Sequence, residues 1–195
     1  MKNEKDDKDK DKKRDEEKNT PENEIVPQHP QSIYALSKLE GERRAVEENP
    51  RTIVIRTTVV YGPERQGKNF VYQVVRRVRA GEPVRVPHDQ RSSPTYNPDL
   101  AAATVELIGR DFRGVLHVAG PVVLDRHALA LEVCAAFGLD AALVEGVTTE
   151  SLHQPARRPL AAGLVVERAR ALLSTPLRAP REALADMRRV LEAPR

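Results

Sequence analysis

At 195 residues the chain is long enough for one domain with a proper core, and at most for two small ones. It carries 32 Lys and Arg against 29 Asp and Glu, a near balance that argues against a dedicated nucleic-acid binder. The single cysteine, Cys134, excludes an internal disulfide and a cysteine metal cluster, and no apolar run approaches the roughly 20 residues of a membrane span. A cytoplasmic protein without nucleic-acid or membrane partners is the expectation.

Charge is unevenly placed. The first 19 residues hold eight basic and eight acidic side chains, with Met1 the only apolar one. Such a segment cannot bury enough surface to offset its ordering entropy, so residues 1–26 are expected to be a disordered charged tail and linker. Residues 27–195 are expected to carry the folded part. Ser32 reads as the N-cap of a helix that runs through Glu48 and stops at Asn49-Pro50. Residues 52–60, "TIVIRTTVV", are a β-branched run broken only by Arg56, the pattern of one strand buried on both faces. "YGPERQGKN" is punctuated as a loop. "FVYQVVRRVRAG" follows as a helix with a stripe of Val71, Val74, Val75 and Val78, ended by Gly81, its arginines on the solvated side.

"PVRVP" is read as a short strand, "HDQRSSPTYNP" as a loop, residues 99–108 as a helix and "GVLHVAG" as a buried strand. Asp125 caps a predicted helix that ends at Gly138 and places Cys134 in the core. "AALVEGV" is a short strand, residues 166–173 a helix, and residues 180–192 a closing amphipathic helix with Pro180 in its first turn. Strands alternating with helices indicate α/β architecture with parallel pairing, and the shorter later elements suggest a small appended lobe. The five histidines show no ligand spacing, so no metal is expected, and His117 reads as a core residue.

Within the first helix, Tyr34 and Lys38 stand four residues apart and share a face. An ammonium beside a phenol favours its ionised form and makes the hydroxyl a readier proton donor. Such pairs also arise by chance on surface helices, and context decides. "PQSIYALSKLEGE" followed by "TIVIRTTVVYGP" resembles the active-site helix and next strand of the extended short-chain dehydrogenase/reductases. "GKNFVYQVV", "GEPVRVPHDQRSSPTYNPDLA", "GVLHVAG" and "ARRPLAAGL" resemble, in order, motifs of the dTDP-4-dehydrorhamnose reductase branch. The resemblance spans about residues 27–173.

The resemblance implies an incomplete Rossmann-like parallel sheet with a small α/β substrate-binding lobe. It implies a catalytic pair in which Tyr34 protonates the keto oxygen of a nucleotide-linked 4-keto sugar while NADPH or NADH gives the hydride. Lys38 would hold the nicotinamide ribose and tune the tyrosine, with Thr58 and Val59 bordering the nicotinamide. Asn69, Gln90, Arg91, Ser93 and Thr95 would line the sugar-nucleotide pocket, Arg91 facing the diphosphate. The "ARRP" stretch at 156–159 would help close it.

Two positions depart from the pattern. Ser92 stands where the "DQxGSPT" block usually has glycine, and Val59 where many members carry an aromatic. A larger departure lies upstream. Dinucleotide binding needs a glycine-rich turn at a helix N-terminus, and the first of the ten glycines here is Gly41. The catalytic Ser or Thr that the family places before the tyrosine has no counterpart in "KDKDKKRD". The expectation is therefore a truncated reductase, inactive by itself, with an unpaired sheet edge that a partner or a second copy would complete. The alternative is a non-catalytic sugar-nucleotide-binding or regulatory subunit akin to the methionine adenosyltransferase β-subunit.

Overall fold

The computed structural model describes residues 30 and 32–193; the tail and linker expected at residues 1–26 lie outside them. The first element, α1 (Ile33–Glu48), begins as its sequence dictates, with the Ser32 hydroxyl accepting from the Ala35 amide at 3.1 Å. None of its residues is buried. A short turn returns the chain into β1 (Ile53–Arg56), and β2 (Thr58–Tyr61) follows after Thr57 alone.

The single doubly buried strand expected at residues 52–60 is thus two strands, and most of its residues are only half-buried. The reason is a change of neighbour. β1 runs parallel to β6 (Gly114–His117), pairing Ile53 with Gly114 and Arg56 with His117. β2 instead runs parallel to β5 (Pro94–Tyr96), with a bulge between Thr58 and Val60. Val59, inside that bulge, has φ of 44°, a left-handed backbone that a β-branched side chain rarely accepts. Among the described residues nothing pairs with the second edge of β1.

The loop expected at residues 88–98 also carries structure. β4 (Arg91–Ser92) and β5 lie within it, and α3 (Asn97–Ile108) begins at its end. Strands of two or three residues give no alternation to read, and Pro94 masks β5 further. β4 is the middle of a small sheet, antiparallel to β7 (Leu124–Asp125) and parallel to β9 (Ala161–Ala162). β3 (Val84–Pro87) pairs in parallel with β8 (Val144–Val147).

Two main apolar clusters hold these elements. α2 (Phe70–Arg79) buries its valine stripe against Val133, Cys134 and Phe137 of α4 (Arg126–Phe137) and Leu184 and Met187 of α6 (Pro180–Glu192). Each such side chain contributes on the order of 1.5–3 kcal/mol by leaving water. In the second cluster Ala103 and Leu107 of α3 meet Leu116 and Val118, with Ala169 of α5 (Glu167–Leu172). Ile53 and Ile55 of β1 pack on that cluster from one side. On α3, Glu106 accepts from the Ser174 and Thr175 amides and the Thr175 hydroxyl, which holds its carboxyl well below the usual range and pins the chain after α5.

Just beyond β6, a Cβ on Gly120 would stand 2.0 Å from the Pro94 carbonyl oxygen, so the backbones that follow β6 and open β5 touch. Gly120→Ala is expected to lower stability by about 1–3 kcal/mol, read as a shift of the urea midpoint at unchanged slope. An unshifted midpoint would mean that this contact yields freely.

Candidate active site at the carboxyl ends of the paired strands

α1 lies antiparallel to β1. The Thr52 hydroxyl donates to the Ala45 carbonyl at 2.9 Å, and the Arg56 guanidinium donates from Nε to Glu42 at 3.0 Å, with a second bond from its terminal nitrogen. Glu42, Lys38 and Tyr34 follow one another at four-residue steps, so they form a stripe along the helix. From the anchored Glu42, eight residues at 1.5 Å rise carry Tyr34 about 12 Å onward, past the carboxyl end of β1. Ligands of open α/β sheets bind on that side.

At this end of α1, the Lys38 ammonium stands 5.5 Å from the centre of the Tyr34 ring. Both side chains are solvent-exposed, Tyr34 to 69 %. The pair is therefore assembled and open.

A second group forms where the chain changes neighbours. The Thr58 hydroxyl donates to the Ser93 carbonyl at 2.8 Å and accepts from the Ser93 amide at 3.0 Å. The Thr95 hydroxyl lies 2.8 Å from the Thr58 carbonyl, to which it donates, and accepts from Thr57 at 3.0 Å. Ser93 Oγ accepts from the Leu164 amide at 3.0 Å. Of the expected site residues, Thr58, Ser93 and Thr95 are brought together; the Thr58 and Thr95 hydroxyls bond to backbone groups within the trio and that of Ser93 to Leu164, and Ser93 and Thr95 are buried. This knot fixes the backbone around the strained Val59. Thr57 belongs to it and was not singled out from the sequence, where its adjacency to Thr58 was the only sign.

The remaining expected residues are dispersed around the lobe. Asn69 caps α2, accepting from the Val71 and Tyr72 amides, and its amide nitrogen donates to the Gly62 carbonyl at 2.9 Å. Gln90 is half-buried at the start of β4, and its amide nitrogen is buried without a hydrogen-bond partner among the described residues. Arg91 is exposed on β4, opposite Asp125 on one side and Ala161 on the other. Arg126, which sequence reading passed over, lays its guanidinium 4.9 Å from the centre of the Phe70 ring. Nothing in the separated stretches around Phe70 and Arg126 signals that contact.

Behind the site, Tyr61 and Tyr96 pack with ring centres 5.7 Å apart. Burial pushes the Tyr61 phenol up, with the Asp99 carboxylate and Tyr96 adding to it. Burial and the hydrogen bond to Asp186 do the same for Tyr96. Both phenols are held neutral and serve packing.

Comparison with known proteins bears on this arrangement. The family model described as "RmlD substrate binding domain" matches residues 14–192. A dTDP-4-dehydrorhamnose reductase from Mycobacterium tuberculosis is 40% identical over 158 residues, which cover 80% of this chain and 51% of that protein. A crystal structure of the corresponding reductase from Clostridium acetobutylicum superposes with a TM-score of 0.82 at 28% identity, covering 89% of this chain and 61% of that one. The Bacillus anthracis enzyme, solved in complex with NADP, superposes with a TM-score of 0.78 at 26% identity, covering 87% of this chain and 59% of that one. The chain spans about half the length of the curated relatives it matches. No described helix is long and apolar enough to cross a membrane. The α/β architecture with its parallel pairs matches a Rossmann-like reductase fold, and the chain belongs to the RmlD substrate-binding-domain family.

Proposed function

We propose that this chain is the sugar-nucleotide-binding part of a short-chain dehydrogenase/reductase that reduces a nucleotide-linked 4-keto sugar, dTDP-4-dehydrorhamnose being the first substrate to try. The observation that carries the reading is the exposed Tyr34–Lys38 pair, ring and ammonium 5.5 Å apart at the carboxyl ends of the parallel strands, in a chain 40% identical to such a reductase. A nicotinamide dinucleotide, NADPH or NADH, supplies the hydride when bound. The Tyr34 hydroxyl donates the proton to the sugar's keto oxygen, and the Lys38 ammonium stabilises the negative charge left on the phenol oxygen. Thr58 and Val59 shape the backbone that borders the reacting carbon. Asn69, Gln90, Arg91, Ser93 and Thr95 form and brace the wall of the sugar-nucleotide pocket.

The described residues suit the nicotinamide end of the cofactor. Its pyrophosphate needs a glycine-rich turn opening a helix, and Ser32 opens α1 instead, with no glycine before Gly41. The cradle is therefore assigned to polypeptide outside these 195 residues, and the open edge of β1 is where it would join. Titration calorimetry tests both halves of this reading. The chain is expected to bind dTDP and to show no tight site for NADPH. Absence of dTDP heat sinks the substrate assignment, and tight NADPH binding sinks the external cradle.

A further inference from the structure

The outer side of α3 is apolar where a surface helix is ordinarily polar. Its two charged residues are spent inward, Asp99 on Arg178 and Glu106 on the Ser174 and Thr175 amides. Ala101, Val105 and Ile108 are exposed instead, Val105 to 70 % and Ile108 to 77 %. A helix that is apolar on both sides belongs between two layers.

The helical period fixes where that stripe points. With Ala103 and Leu107 set down on β1 and β6, a turn of about 100° per residue puts Asp99 and Glu106 about 60–80° to one side. The same turn puts Ile108, Ala101 and Val105 about 120–180° round the other way. The Asp99 side is the β6 side. Its partner Arg178 follows α5, whose Ala169 packs with Leu116 and whose Arg168 donates to the Val115 carbonyl at 3.4 Å. The stripe therefore turns outward and toward β1, whose second edge has no pairing strand among the described residues. α1 lies on the opposite face of the sheet, because Arg56, which it holds, points away from Ile55. It too has apolar surface uncovered, with Ile33 and Leu36 exposed and no residue buried.

In an open α/β sheet each added parallel strand brings a crossover helix onto a face. Two strand spacings of about 4.8 Å put that helix about 10 Å from its neighbour, the distance at which helix flanks pack. We propose that Ala101, Val105 and Ile108 form a docking surface for one helix of an α/β polypeptide outside these 195 residues, which pairs a strand with the open edge of β1 and lays the helix beside α3. One such occupant covers the strand edge and the stripe together. Residues 1–19, with Met1 their only apolar side chain, do not suit an apolar stripe. The chain spans about half the length of its curated relatives, so each of them carries about as much polypeptide again as the part matched here. That the partner holds the cofactor rests on the reading in the preceding subsection; the surface rests on the stripe and the open edge.

The test co-expresses the chain with the part of the Mycobacterium tuberculosis reductase that it does not match, and follows dissociation of the purified complex on dilution by sedimentation. Wild type is compared with Val105→Asp, Ile108→Asp and, as a control, Val190→Asp on α6, also exposed. Each α3 variant is expected to weaken the complex by roughly tenfold to a hundredfold, while the control dissociates as wild type does. Val105 and Ile108 are exposed, so both variants should melt as the wild-type chain does by itself. Wild-type dissociation in both α3 variants overturns the docking surface and leaves the external cofactor half standing, because that half still binds. A half that fails to bind the wild-type chain overturns both. If the chain instead forms a dimer of itself that Val105→Asp breaks, a second copy covers the stripe and the proposed occupant is wrong.

Discussion

Asp99→Ala is expected to cost about 3–5 kcal/mol, a large part of the stability of a domain this size. Asp99 is 5 % exposed at the first turn of α3, and one carboxylate oxygen accepts from the Arg178 side chain through Nε at 2.9 Å and through a terminal nitrogen. Its other oxygen accepts from the Arg178 backbone amide at 2.8 Å. Removing the buried carboxylate leaves a half-buried guanidinium and an amide short of partners. Asp186, 2.9 Å from the remaining guanidinium nitrogen, answers only part of that loss. Arg178 also lies 4.7 Å over the Tyr96 ring, so the disturbance should spread to β5. Urea unfolding of Asp99→Ala, Arg178→Met and the double variant gives the coupling energy directly. A loss below about 1 kcal/mol in the single variants would show that the network is an ornament of the surface.

In a preparation that reduces a 4-keto sugar nucleotide, Tyr34→Phe is expected to lower kcat by about 10²- to 10⁴-fold, the usual contribution of a positioned proton donor. The preparation would combine this chain with the cofactor-binding part of a homologous reductase. Phenylalanine keeps the ring near Lys38 and removes only the hydroxyl, and the 69 % exposure of Tyr34 makes a folding defect from the change negligible. The affinity for dTDP should therefore stay as it was. A rate that survives the substitution would remove Tyr34 from the chemistry and favour the non-catalytic subunit. Loss of dTDP affinity together with rate would make it a binding residue instead.

How much of this could be read in the sequence depended on range. Local signals were read well. Ser32 and Asp125 cap the helices they were expected to cap, Gly81 and Gly138 take the left-handed backbone at helix ends, and the α2 valines form the buried stripe. The four-residue spacing placed Tyr34 and Lys38 on one helix face. What escaped was fixed by distant partners. Nothing in "TIVIRTTVV" announces that its two halves pair with different strands, because the cause lies in Ser93 and Thr95, some 35 to 38 positions away. Asp99 and Arg178 are 79 positions apart, and neither looked special alone. Nor does the block that carries Ser93 and Thr95 announce that their hydroxyls bond to the Thr58 carbonyl and the Leu164 amide, partners distant in the chain.

The helix that bears Tyr34 and Lys38 has no buried residue of its own. A sixteen-residue helix is marginal when little covers it, so most of its order must be borrowed. Among the described residues its firm links to the rest are the Glu42–Arg56 ion pair and the Thr52 hydroxyl, both far from Tyr34 along the axis. Fraying should start at the end that holds the phenol. Whatever settles against that end also sets how rigidly the proton donor is aimed, which couples docking at the helix to the precision of the chemistry.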